Sequence, residues 1–551
     1  METPRMGIPD RLAARMSMAE QHEYLRARLS SRGVSRRGLL RAGGLAVAGA
    51  GTAGAGLAGC TSDGSDGGGG TGGGGTGGGG TGGGGTAPAA LSPVRVDGSL
   101  VAPFGRRLAF GDDPRTRMRV AWQVPLAVRN PYVRIGLRPW ELDRRIEAEV
   151  RKLHTPALSR KLPEVTQFHL HAAFDGLRPG TTYYYGVGHD GFDPTAADRL
   201  GTLGSFTTAP DGADEPFVFT AFGDQGVSYE ALANDQLLLG QNPSFHLHAG
   251  DICYADESGH GEREDTYDAR VWDQFLAQTE PVAARVPWMV TTGNHDMEAW
   301  YSPEGYGGQS ARWSLPANGP DPQKAPGVYS FRYGNVAVVA LDANDVSYEI
   351  PANRGYTGGA QTRWLARRLR ELRADGDVDF VVVFFHHCAY STSTHASEGG
   401  VREEWVPLFE KHRVDLVING HNHVYERTDP VRGHRATRKL PPGGTTDPAR
   451  DGTVYVTAGG AGKKLYDFPV PDSYEGHEQE RDSVPSFRWA GTGEQVTEEV
   501  EWSRVRYTGF SFLAVESRPG TSGRAPRLEV TALAQSGRRV DHFTVERRPT
   551  G

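Results

Sequence analysis

The sequence predicts a layered α/β domain preceded by a smaller all-β domain. Three observations carry that expectation. From about Glu215 onward, short apolar runs alternate with amphipathic stretches of helical period. Between residues 93 and 210, apolar and polar residues alternate instead at a period of two. Five short polar motifs each follow or end an apolar run of the second region. They are Gly223-Asp224-Gln225-Gly226, Gly250-Asp251-Ile252-Cys253-Tyr254, Gly293-Asn294-His295-Asp296, Val383-Phe384-Phe385-His386 and Gly420-His421-Asn422-His423.

At 551 residues the chain exceeds one ordinary domain and is long enough for two with a sizeable core. Apolar residues make up 37% and glycine occupies 74 positions, so part of the chain must lie outside any core. A formal charge of −7 gives no footprint for nucleic acid. The three cysteines, Cys60, Cys253 and Cys388, cannot build a disulfide framework.

Residues 1–60 read as an export segment. Ser35-Arg36-Arg37-Gly38-Leu39-Leu40-Arg41 precedes a weakly apolar stretch from Ala42 to Gly59 and resembles a twin-arginine (Tat) signal. The stretch holds too much glycine for a comfortable membrane-spanning helix. It ends in Leu57-Ala58-Gly59-Cys60, which resembles a bacterial lipobox and implies a lipoprotein anchored through Cys60 to the outer face of the cell membrane. Residues 61–92 read as a flexible linker, because the Gly-Gly-Gly-Gly-Thr repeats from Asp66 to Thr86 offer no side chain to offset the ordering of the backbone.

The all-β expectation covers residues 93–210. Arg117 to Val124 and Phe168 to Ala172 alternate inward apolar with outward polar positions. The segment Leu177-Arg178-Pro179-Gly180-Thr181-Thr182-Tyr183-Tyr184-Tyr185 resembles the corner of fibronectin type III domains, where a tyrosine hydroxyl closes a bend in the β-sandwich. His169 and His171 share one strand face. With no third ligand nearby in sequence, that face is expected to be solvated and not a metal pair. The domain is expected to act as a spacer or packing partner, and its loops leave a binding role open.

In the second region, residues 215–551, buried strands are expected at Phe217–Phe222, Phe245–Ala249, Trp288–Thr291, Phe380–Phe385, Leu416–Ile418 and Val454–Val456. Helices are expected at Ala231–Leu239, Ala269–Ala284, Gln361–Ala374 and Glu403–His412. In a layered α/β fold the site lies beyond the carboxyl ends of the strands, where all five motifs fall. They pool carboxylate, amide, phenol and imidazole groups, the mixture that hard and borderline metal ions take.

In this order the five motifs resemble those of the purple acid phosphatases, within the calcineurin-like metallophosphoesterases. The resemblance runs from about Pro93 to the C-terminus and implies two mixed sheets flanked by helices behind a fibronectin III-like sandwich. It implies a binuclear centre. Asp224, Tyr254 and His423 would bind ferric iron, Asp251 would bridge, and Asn294, His386 and His421 would hold a divalent ion, zinc, manganese or iron. Anionic phenolate and carboxylate suit a trivalent ion, while two imidazoles and an amide suit a divalent one. Two such ions acidify a bound water that attacks phosphorus directly. His295 would protonate the leaving alkoxide or steady charge on the transferring group.

The Val-x-x-His spacing selects His386 as ligand, with Tyr390 in register and His387 packed beside it. His395 and Glu398 match positions lining the substrate end in plant relatives, with His395 catalytic. Where relatives often carry two adjacent histidines, this chain has His395-Ala396. Cys253 and Cys388 fall near the site, as buried thiols, a disulfide or an extra iron ligand. The resemblance continues from Val424-Tyr425-Glu426-Arg427 through Val454 to Gly460. Lys463 to Arg504 reads as a loop at the site's mouth or a mobile surface insertion, and Arg527 to Arg547 as strands completing the second sheet.

The function so implied is an exported, acid phosphatase-type phosphomonoesterase acting on small phosphate esters. The same core would serve a phosphodiesterase or nucleotide hydrolase. A PhoD-like phosphatase shares the export signal, but the complete Val-Phe-Phe-His and Gly-His-Asn-His pair argues for the purple acid type. A non-catalytic surface binding protein should lack at least one ligand, and none is missing. The oligomeric state has no signature in the sequence.

Overall fold

The computed structural model describes residues 97–263 and 266–547; the expected export segment, the lipobox and the linker lie outside the described residues. Two four-stranded antiparallel sheets form the N-terminal domain. One runs in the order Phe104–Phe110, Met118–Val124, Val165–Phe174, Glu149–Thr155. The other runs Arg144–Glu147, Tyr132–Gly136, Thr182–Gly188, Gly204–Thr207. The period-two pattern fills the space between them: Leu108 and Phe110, Val120 and Trp122, Leu170 and Phe174, Val133 and Ile135 all enter one core. At the expected corner the Tyr183 hydroxyl accepts the Arg178 N–H at 2.9 Å.

The opposite face of the first of these sheets is covered by the second domain. Gln167 Nε2 donates to Asp273 (2.7 Å) and Arg107 Nε to the Arg312 carbonyl (2.8 Å), and from the other sheet the Tyr185 hydroxyl donates to the Ala284 carbonyl (2.9 Å). This corrects the expectation for His169 and His171. Both are buried, His171 between the Ala311 carbonyl (2.8 Å) and Ser314 Oγ (2.9 Å). A polar strand face need not meet water when another domain packs on it.

Two seven-stranded mixed sheets form the α/β domain. The first runs Trp288–Val290, Phe245–His248, Phe217–Phe222, Ser511–Arg518, Arg527–Ala534, Arg539–Glu546, Thr445–Thr446. The second runs Tyr329–Tyr333, Val336–Ala340, Phe380–Phe384, Leu416–Asn419, Val454–Ala458, Tyr425–Thr428, Ser503–Tyr507. Alternation divides each strand between two cores. Val336, Val338, Phe380, Val382 and Phe384 turn toward the space shared by the sheets. Ala337, Val339, Val381 and Val383 turn outward under Trp364, Leu365 and Leu369 of the helix Ala360–Ala374. Helices Tyr229–Gly240 and Arg270–Ala283 cover the first sheet through Leu238, Trp272, Phe275 and Leu276.

Three elements differ from expectation. Tyr329–Tyr333 and Val336–Ala340 form an antiparallel pair at the edge of the second sheet. The expected helix Glu403–His412 is two short helices, Gly399–Glu404 and Val406–Lys411. Pro407 explains the break, since it lacks an N–H and its ring crowds the carbonyl four residues back. Within Lys463–Arg504, Val484–Gly491 and Glu494–Val500 pair as a hairpin. The hairpin is docked: Ser397 N–H donates to the Phe487 carbonyl (2.9 Å) and Trp489 N–H to the Ser397 carbonyl (3.0 Å).

Candidate metal centre

The strands ending at Phe222, His248 and Val290 are parallel neighbours in one sheet, and those ending at Phe384 and Asn419 are parallel neighbours in the other. Their carboxyl ends lie together, so the five motifs meet at one edge of the sandwich. Backbone conformation marks the same residues. Asp224 (φ 61°), Asp251 (51°), Tyr254 (61°) and His421 (69°) are four of eight non-glycine residues with positive φ among the described residues. Such a conformation costs about 1–3 kcal/mol and persists only where surroundings enforce it; for a bulky tyrosine it is uncommon. Close approach is part of that enforcement. A Cβ on Gly293 would stand 2.1 Å from Asp251 Oδ1, and one on Gly420 2.6 Å from Asp224 Oδ2.

Backbone donors hold the carboxylates. The His421 N–H reaches both Asp224 oxygens (2.9 and 3.1 Å), and the His295 N–H reaches Asp251 Oδ1 (2.8 Å). The Asp296 carboxylate ties two motifs together by accepting from Ile252 N–H (3.0 Å) and Gly293 N–H (2.8 Å). Burial and the nearby Asp251 push its pKa up to about 7.

The ligand atoms form two abutting groups. In one, the Tyr254 phenol oxygen lies 3.2 Å from Asp224 Oδ1 and 3.0 Å from His423 Nε2. In the other, His386 Nε2 lies 3.1 Å from Asn294 Oδ1, 3.2 Å from His421 Nδ1 and 3.2 Å from Asp251 Oδ2. Asp224, Asp251 and His386 place ligand atoms within 4.8 Å of one another, and so do Glu349, His395 and His421.

The far nitrogen of each imidazole decides what these distances mean. His386 Nδ1 donates to the Ala249 carbonyl (2.9 Å), and His423 Nδ1 to the Lys464 carbonyl (2.7 Å). His421 Nε2 lies 3.0 Å from Glu349 Oε2. Each neutral ring therefore turns a lone pair inward. The Asn294 NH₂ faces the Gly259 carbonyl (3.3 Å), which turns its oxygen inward too. With the His386 ring neutral, four acceptors converge there without a donor, and around Tyr254 one phenol proton faces two acceptors. Buried acceptors in such an arrangement need positive charge between them. The electrostatics agree. Burial alone would lower His386, but Asp251 and Asp224 carry it up to about 9, a pull toward positive charge that a proton on the ring or a cation between the carboxylates would each satisfy. Burial and the neighbouring His395 press His421 down to about 4. Burial and the two aspartates hold the Tyr254 phenol well above its usual range. The donor set fits two cations.

A two-sheet α/β sandwich with this donor set at its strand ends defines a metal-dependent hydrolase. The profile of the purple acid phosphatase N-terminal domain matches residues 103–208, and that of the calcineurin-like phosphoesterases matches residues 217–425. An uncharacterized Mycobacterium tuberculosis protein is 32% identical over 489 residues, covering 81% of this chain and 87% of its own. Purple acid phosphatase 23 of Arabidopsis thaliana is 30% identical over 311 residues, covering 53% of this chain and 62% of its own. The yellow lupin purple acid phosphatase PPD1 shares the fold, with a TM-score of 0.61 at 20% identity over 81% of this chain and 75% of that one. The chain belongs to the purple acid phosphatases of the calcineurin-like metallophosphoesterase superfamily, and its site is that of a metal-dependent phosphohydrolase.

Other expected residues fall as follows. His295 stacks on Tyr254 (ring centroids 4.4 Å apart) and donates from Nδ1 to the Asp256 carbonyl (2.6 Å). His395 lies beside His421 (4.1 Å), with Nδ1 2.6 Å from Glu349 Oε1 and Nε2 3.4 Å from the Tyr466 hydroxyl. His387 is buried 4.4 Å from the His421 ring, without a hydrogen-bond partner among the described residues. Cys253 and Cys388 are free, buried thiols, and Cys388 Sγ donates to the Gly420 carbonyl (2.9 Å). Burial pushes both thiols up, Cys388 to about 12. Glu398 is buried, accepts from the Ser347 hydroxyl and the Tyr348 N–H and caps the helix Gly399–Glu404.

Three further residues line the site without an expected role: Glu349, Asn422 and Tyr466. Asn422 Oδ1 accepts the His395 N–H (2.8 Å), and its NH₂ donates to the His395 carbonyl (2.9 Å). Tyr466 lies flat on His423, with centroids 4.0 Å apart and planes at 10°. Asn422 sits inside the Gly420–His423 motif, which signals it; Glu349 lies in a loop with no periodic or motif signal.

Proposed function

We propose that the chain is an exported phosphomonoesterase of acid phosphatase type, with iron(III) held by Asp224, Tyr254 and His423, a divalent ion by Asn294, His386 and His421, and Asp251 between them. The convergence of inward-facing donor atoms from five strand ends carries this reading. The hard phenol and carboxylate of one group suit a trivalent ion, and the imidazoles and amide of the other suit zinc, manganese or ferrous iron. Held by these residues, two cations would supply a hydroxide nucleophile near neutral pH and a clamp for phosphoryl oxygens.

The protein's own groups do the rest. The Asp256 carbonyl fixes His295 through Nδ1, leaving Nε2 to carry a proton to the departing alkoxide. His395, held between Glu349 and Asn422, stands beside His421 and Tyr466, where it contacts the leaving group. The names of the Arabidopsis relatives support a monoester substrate. Export and lipid attachment rest on the paired arginines and on Cys60.

Rates on p-nitrophenyl phosphate and on its bis ester test the substrate class. Preference for the monoester is expected. Preference for the bis ester would favour the diesterase reading on the same centre.

A further inference from the structure

We infer that Glu349 is a positioning residue for the divalent-ion site, locking the His421 imidazole in the tautomer that binds metal; this rests on the reading of the centre given above. His421 has two nitrogens with separate partners. Nδ1 points at His386 Nε2 (3.2 Å), where the ligand atoms gather, and Nε2 points at Glu349 Oε2 (3.0 Å). A carboxylate accepts only, so Nε2 must carry the proton and Nδ1 the lone pair. Of the three imidazoles, His386 and His423 are fixed by main-chain carbonyls. His421 alone of these depends on a side chain.

Glu349 is itself held. Its other oxygen lies 2.6 Å from His395 Nδ1, and its side chain is 14% exposed. The buried Glu398 carboxylate accepts from the Glu349 N–H at 3.2 Å, the Ser347 hydroxyl at 2.9 Å and the Tyr348 N–H at 2.8 Å. Glu398 is anchored in turn by Gly400 N–H at 3.0 Å. The docked hairpin closes on Ser397, next in the chain. A chain of fixed contacts thus runs from the hairpin to the ligand, and explains Glu398 without placing it on substrate. Carboxylates that orient metal-binding histidines in this way typically contribute 10–100-fold to metal affinity.

The test is a chelator-competition titration of divalent zinc into the iron-loaded full chain, with metals counted by elemental analysis. Wild type should hold one zinc beside one iron. Glu349→Ala should weaken zinc binding about 10–100-fold with iron content and thermal unfolding of the metal-free protein unchanged. Glu349→Gln, whose amide oxygen still accepts from Nε2, should recover most of that loss. An unchanged zinc affinity in Glu349→Ala would overturn the inference. So would three metals in wild type falling to two in Glu349→Ala, which would make Glu349 a ligand. A wild type unable to hold two metals would instead overturn the reading of the centre, and the role of Glu349 with it.

Discussion

The phenol oxygen of Tyr254 stands 3.0 Å from Nε2 of His423, a residue 169 positions away in the chain. Tyr254 follows a strand of one sheet and His423 a strand of the other, so the pair spans the sandwich at the metal centre. Its left-handed backbone shows that the fold holds the phenol there at a cost. Tyr254→Phe removes the oxygen and keeps the ring. An iron(III) held by the phenolate as proposed would give a visible charge-transfer band, and the variant should lose that band while the divalent ion stays near one per chain. A band that survives would place another ligand on iron.

His295 is fixed by the Asp256 carbonyl and stacked on Tyr254, yet donates no ring nitrogen to the gathered ligand atoms. His295→Ala should therefore lower turnover of an alkyl phosphate by about 10²–10⁴-fold, with metal content unchanged. The loss should shrink for p-nitrophenyl phosphate, whose leaving group needs little protonation. Equal losses on both esters would argue against proton delivery.

Glu298 and Arg312 pair at 2.6 Å with side chains 1% and 0% exposed, and the Arg312 carbonyl receives Arg107 from the N-terminal domain. Glu298→Ala leaves a buried guanidinium without its counter-charge, a loss of about 3–5 kcal/mol. Urea unfolding should show the midpoint move down accordingly. A shift within about 0.5 kcal/mol of wild type would mean that the interface relaxes around Arg312.

His169 and His171 are held well below the ordinary imidazole range, by burial first and then by Arg107 for His169 and Arg151 for His171. The unfolded chain takes up protons on both below about pH 6.5, and the folded chain does not. Their contribution is thus complete above that pH and is lost as pH falls toward the depressed folded values, at up to about 1.4 kcal/mol per pH unit for each histidine. Thermal unfolding between pH 7.5 and 5 should fall less steeply for His169→Leu than for wild type. Equal slopes would mean that His169 protonates without loss of the interface.

Period and punctuation made much of the fold legible. Phe217–Phe222, Phe245–His248 and Phe380–Phe384 are short apolar runs bounded by Gly-Asp or histidine motifs, and each forms a central strand. The motifs also located the donor atoms, because a residue just past a parallel strand's carboxyl end has few places to go. Glu349 was not legible, since its contact with His421 depends on how an aperiodic loop is tied to Glu398. Neither was the burial of His169 and His171, because alternation reports which residues share a face and not what covers it. The hairpin at Val484–Val500 carries a signal in Gly491-Thr492-Gly493, but few of its residues are buried, so its alternation is weak.

A two-cation phosphohydrolase centre is open to direct measurement by elemental analysis of the purified chain paired with a phosphate-ester assay. Two metal ions per chain, iron and a divalent ion, are expected, with monoester hydrolysis. His421→Ala should hold one ion and lose turnover. A metal-replete protein inert toward every phosphate ester, or His421→Ala still holding two ions and turning over normally, would contradict it.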